Sequence, residues 1–156
     1  MRHTISVTVE NKFGVLARVS GLFSARGYNI SSLAVSETLD PAISCMTIVV
    51  EAKDELVLEQ IKKQLNKLID VITVTDYTKK DHVERELVLA KVACPAKEKA
   101  RLERVLKKYV AKIIQFKDGK AFIEVVGQES QIHALLEAMK DFGIAELIRT
   151  GKIAIA

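Results

Sequence analysis

Two stretches of this chain run through the same succession of hydrophobic periods, and that repeat restricts the fold more than any single residue does. Ile5, Val7 and Val9 alternate with Thr4, Ser6 and Thr8, a period of two that predicts a half-buried strand ending near Glu10. Asn11-Lys12-Phe13-Gly14 follows as a turn, and Val15, Leu16, Val19, Leu22 and Phe23 then recur at helical spacing up to Gly27, a residue suited to a left-handed helix end. Residues 28–39 and 44–51 read as a hairpin around Asp40-Pro41. Asp54 is placed to cap a helix carrying Leu58, Ile61, Leu65 and Leu68, and residues 71–75 supply a fourth strand. The order is β-α-β-β-α-β.

After the polar stretch 78–82 the order returns. Residues 87–92 form a strand, Leu102, Val105, Leu106 and Tyr109 a helical stripe, and 113–116 and 121–126 a hairpin about Lys117-Asp118-Gly119-Lys120. Ile132, Leu135, Leu136 and Met139 mark the second helix, Gly143 its end, and 144–156 the last strands. The fold class expected is therefore α+β, two tandem ferredoxin-like sandwiches, over residues 1–77 and 84–156 with a linker at 78–83. Each sheet has helices on one face only. Apolar residues on both strand phases, such as Met46 and Ile48 beside Cys45 and Val49, predict that a second copy or the other domain covers part of the remainder.

Charge excludes less than it first suggests. The net +4 divides into −1 over residues 1–78 and +5 over 79–156, where most lysines alternate with acids on helical surfaces. Aromatics make up 5%, and the strand over 44–51 has none, so the base-stacking platform that RNA-binding domains of this topology display is missing. No apolar run reaches the roughly 18 residues of a membrane span, and no leader-like segment opens the sequence, which predicts a cytoplasmic protein. Cys45 and Cys94 lie in strand-like runs without paired spacing and are read as buried thiols.

His3, His82 and His133 are scattered, and no nucleophile stands beside a base, so no catalytic residue and no metal ligand is assigned. Acylphosphatases share the fold type and use an Arg with an Asn; Arg18 or Arg26 with Asn29 is the one enzymatic alternative to weigh. Residues 10–16 are more informative. A strand there delivers Asn11 and Gly14 to a helix start, where backbone N–H groups and the helix dipole favour a carboxylate and a glycine permits close approach. The Asn11 side chain can accept from an ammonium group, and Asn29, opening the next strand, supplies a second amide that could point into the same region. A zwitterionic amino acid fits this set.

The run from Glu10 to Val19, then Gly21-Leu22-Phe23-Ser24 and Arg26-Gly27-Tyr28-Asn29-Ile30-Ser31-Ser32-Leu33, resembles the ACT domain of acetolactate synthase small subunits. The likeness continues through Asp40-Pro41, Met46-Thr47-Ile48, Leu58-Glu59-Gln60-Ile61, Val83-Glu84-Arg85-Glu86 and Phe142-Gly143-Ile144-Ala145-Glu146 to Arg149-Thr150-Gly151, nearly the whole chain. It weakens over 94–116, where Ile113-Ile114-Gln115 lacks the expected acidic residue. The resemblance implies a non-catalytic regulatory subunit in branched-chain amino acid biosynthesis that activates its catalytic subunit. It also implies feedback inhibition by valine, sometimes with leucine or isoleucine, bound between the ACT domains of a homodimer. Asn11, Gly14, Val15, Leu16, Asn29 and Ile30 match the positions expected to line that site. The implied partner is the large catalytic subunit, which carries thiamine diphosphate, a divalent metal and often FAD; this chain is expected to hold no cofactor and to bind neither nucleic acid nor membrane.

Overall fold

A computed structural model describes residues 2–156 as two compact units, one holding the residues up to Val83 together with Lys152–Ala156, the other Glu84–Gly151. The first unit contains β1 (Arg2–Glu10), α1 (Val15–Ala25), β2 (Ile30–Glu37), β3 (Ile43–Glu51), α2 (Glu55–Leu65) and β4 (Val71–Asp76). Its antiparallel sheet has the order β2-β3-β1-β4. That leaves β2 on an edge. One strand phase, Ile5, Val7 and Val9 beside Met46, Ile48 and Val50, packs with Val19 and Phe23 of α1 and with Leu58, Ile61 and Leu65 of α2, so both helices cover the same face. Asp54 caps α2 by accepting from the Val57 amide at 2.9 Å.

The second unit repeats the plan with β5 (Val83–Ala93), α3 (Lys99–Lys108), β6 (Lys112–Lys117), β7 (Lys120–Gly127), α4 (Glu129–Met139) and β8 (Ile144–Arg149), in the sheet order β6-β7-β5-β8. Its core gathers Val88, Ala90, Val92, Ile123, Leu102, Leu106, Ile132 and Leu135. Asp118 and Gly119 have φ of 50° and 70°, two left-handed residues in succession, as the tight turn of a twisted hairpin requires. On the sheet face away from the helices Leu89, Val126 and Ile148 remain exposed.

The structure departs from the sequence expectation at three places. β2 is shorter than 28–39. β5 begins at Val83 rather than near 87, because Glu86 is held in the ladder opposite Gly127 and ion-paired to Arg149, a strand signal that hydrophobic alternation does not carry. Cys94 is buried, but Cys45 is only half-buried, since it sits on the strand phase turned from the helices with its Sγ 3.5 Å from Ser6 Oγ. The short β9 (Ile153–Ile155) belongs to a segment that clusters with the first unit, where the Lys152 amide donates to Ser32 Oγ at 3.2 Å. No helix of the described residues is long and apolar enough to cross a membrane.

Candidate functional site

At the end of β1 the chain must leave the sheet and enter α1 within four residues, and the backbone achieves this with Gly14 at φ 81°. A left-handed conformation costs an L-residue about 1 kcal/mol, and a Cβ on Gly14 would also lie 3.1 Å from a guanidinium nitrogen of Arg18. Arg18 cannot yield freely, because its Nε donates to Asp70 Oδ2 at 2.9 Å and a second nitrogen lies 2.9 Å from the same oxygen. Asn11 anchors the other side of the loop. Its amide donates to Ala42 O at 2.7 Å and its side-chain Nδ2 to Pro41 O at 2.8 Å, which leaves Oδ1 as an acceptor.

Between this loop and the far ends of β2 and β3 lies a concavity of about 400 Å³. Asn11, Val15 and Leu16 line it, with Val35 and Glu37 from β2 and Ser44 and Met46 from β3. Val15 and Met46 are buried and form an apolar floor, while Leu16 and Val35, 42% and 43% exposed, stand at the rim. No side chain caps α1 and no acid lies in its first turn, while the Val15 amide donates to Lys12 O at 3.3 Å. Glu10 and Glu37 also line the space, and Lys12 Nζ is 2.6 Å from Glu10, which raises the Lys12 pKa through that hydrogen bond and the neighbouring charge. The balance of free charge is acidic. Apolar walls, uncapped amides and acidic acceptors together suit a small ligand with a carboxylate, an ammonium group and an aliphatic side chain.

The structure gathers Asn11, Val15 and Leu16 here, with Gly14 in the connecting loop but not in the lining, and it separates Asn29 and Ile30 from them within one chain. Ile30 pairs with Val50, which pairs with His3, whereas Glu37 pairs with Ser44 at the Val9 end of β1. Seven residues of extended strand put Ile30 about 20 Å from the Asn11 loop. The sequence alone did not signal Val35, Glu37, Ser44 and Met46, because they reach the site only through the register of the β2–β3 ladder.

Other residues that attract attention have structural partners. The Arg26 guanidinium donates to Gln64 Oε1 at 2.8 Å, and Arg18 is engaged by Asp70. His3 bonds Thr78 Oγ1 at 3.1 Å, and His82 stacks on Tyr77. Arg149-Thr150-Gly151 closes the second sheet. Arg149 grips buried Glu86 through two bonds of 2.8 and 2.7 Å, and the Thr150 amide donates to Leu87 O at 3.1 Å.

Comparison with known proteins agrees over the whole length. Residues 5–73 match the family described as the AHAS small subunit-like ACT domain, and residues 85–156 the family described as the small subunit of acetolactate synthase. A probable acetolactate synthase small subunit of Archaeoglobus fulgidus is 47% identical over 155 residues, 99% of this chain and 96% of that protein. The acetolactate synthase small subunit of Bacillus subtilis is 39% identical over 156 residues, 100% of this chain and 91% of that protein. The crystal structure of the acetolactate synthase small subunit from Thermotoga maritima is similar with a TM-score of 0.89 at 35% identity, covering 99% of this chain and 96% of that one.

Proposed function

The chain belongs to the acetolactate synthase small-subunit family, regulatory chains without a catalytic centre of their own, and from that premise we propose that its first unit senses valine or a related branched-chain amino acid. The observation that carries this reading is the concavity beside the uncapped start of α1, with Asn11, Val15 and Leu16 at one wall and Gly14 in the loop that leads to it. The ligand carboxylate meets the first-turn amides, with Gly14 keeping the approach open. Its ammonium group is accepted by Asn11 Oδ1 and the Glu37 carboxylate, and its side chain lies between Leu16 and Val35. Valine and isoleucine differ by one methylene, so discrimination between them is expected at about 1–3 kcal/mol.

Asn29 and Ile30 enter from a second copy. β2 is an edge strand, and a two-fold axis that pairs it antiparallel with the β2 of another chain aligns the Ile30 end of one with the Glu37 end of the other. Each site is then built from Asn11 to Leu16 of one chain and Asn29 and Ile30 of its partner. A ligand shared in this way favours one arrangement of the dimer, and a coupling on the order of 1–3 kcal/mol is enough to report it to the catalytic subunit. That subunit, in the cytoplasm, supplies the thiamine diphosphate, divalent metal and, in some enzymes, FAD. This chain supplies activation and feedback inhibition.

Isothermal titration of the purified chain with valine, leucine, isoleucine and alanine tests the reading. Saturable heat is expected with the branched-chain ligands and its loss in Asn11→Ala and Gly14→Asp. Absence of heat with all four would overturn the sensor role and leave a purely activating subunit.

A further inference from the structure

Ser44 is an anomaly in the sheet of the first unit. It is only 6% exposed on β3, yet among the described residues its hydroxyl has no hydrogen-bond partner. A hydroxyl withdrawn from water without a partner costs stability, and the neighbouring positions on the same strand phase, Met46 and Ile48, are apolar. Ser44 lines the concavity at the start of α1, on the face it shares with its ladder partners Val9 of β1 and Glu37 of β2. Glu37 is likewise unengaged. Of the two acids that line the space, Glu10 is ion-paired to Lys12, whereas Glu37 has no ion pair among the described residues.

We infer that Ser44 and Glu37 select for the ammonium group of the ligand, so that the site admits a branched-chain amino acid and rejects the α-oxo acid of the same carbon skeleton. The inference rests on the sensor reading proposed above and adds the residues that discriminate. An ammonium group has three N–H donors and no acceptor. The cavity offers it three acceptors: Ser44 Oγ, the Glu37 carboxylate and Asn11 Oδ1, the last fixed in that role because Nδ2 donates to Pro41 O at 2.8 Å. An oxo group has only lone pairs to present. In the same place it faces a carboxylate and an amide oxygen, with the Ser44 hydroxyl as its single donor. A site built to hydrogen-bond one group rejects the analogue lacking it far more strongly than an apolar pocket rejects one methylene. Because an amino transfer interconverts the two compounds, such a site reports the aminated one alone.

Calorimetric titration of the full chain with valine, its α-oxo acid and isovalerate, which has hydrogen in place of the ammonium group, tests this. Valine is expected to bind roughly a hundredfold more tightly than either analogue. Ser44→Ala should weaken valine binding roughly tenfold while its melting temperature stays at or above that of the unmodified chain, since the methyl removes an unpartnered polar group. Glu37→Gln should narrow the preference for valine over the oxo acid by roughly tenfold or more, because the amide offers the oxo group a donor. Equal affinity for valine and its oxo acid, a loss in each variant that is the same for both ligands, or a marked drop in the melting temperature of Ser44→Ala would overturn the inference while leaving the sensor reading intact. No heat with valine itself would overturn the sensor reading and this inference with it.

Discussion

Gly14 carries backbone strain and, in the proposed site, keeps the approach of the ligand open, and the two consequences can be measured apart. With φ at 81° and Arg18 held against Asp70, Gly14→Ala is expected to lower stability by about 1–2 kcal/mol, from left-handed strain plus crowding of the guanidinium. Denaturant unfolding gives that figure, and calorimetry on the still folded variant gives the accompanying loss of valine affinity. Asp76 sets an acid limit. Burial opposes its ionisation, but the Thr78 hydroxyl and amide, Lys62 and His3 outweigh that and hold the carboxyl below the ordinary range. A depressed folded pKa stabilises the protein above the unfolded pKa and loses that contribution as pH falls through the folded value. Asp76→Asn should therefore cost about 1 kcal/mol at pH 7, with the difference shrinking as pH falls below the ordinary carboxylate range and the Asp76 carboxyl takes up its proton, in melts across pH. Asn11 and Gly14 could be read from the sequence because a strand, a four-residue turn and a helix stripe fix the loop between them. Glu37 and Ser44 could not, since only the ladder brings them there.

The strands and helices were legible wherever burial follows a simple period. Asp54 as a cap, the Asp118-Gly119 turn and the stripe Leu102, Val105, Leu106 and Tyr109 all reflect local chemistry that acts before tertiary contacts form. The start of β5 was hidden because an ion pair between buried Glu86 and the more exposed Arg149 replaces hydrophobic alternation there. Glu86, only 6% exposed, depends on Arg149 of β8, whose pKa is raised by that hydrogen bond against the opposing effect of burial. Arg149→Ala should accordingly destabilise the second unit by about 2–4 kcal/mol, because it strands a buried carboxylate. Hydrogen exchange should show faster opening along β5 and β8, while the amides of β1 and β3 keep their protection.

For the molecule as a whole, the sequence shows a repeated fold and a loop suited to a ligand, but a site divided between chains, as proposed, is not visible in one copy. Asn29 and Ile30 illustrate the gap: their positions suggested membership of the loop site, yet the ladder places them at the opposite end of an edge strand. In the proposed dimer, an antiparallel pairing of two β2 edges exchanges those ends between copies. The most direct test mixes two separately inactive variants, Asn11→Ala and Asn29→Ala, refolds or exchanges them into mixed dimers, and titrates valine. Each mixed dimer would contain one site with both asparagines intact and one with neither, so the mixture should regain valine binding that both pure variants lack. If the mixture stays as silent as its components, Asn11 and Asn29 act within one chain or not at all, and the shared site is wrong.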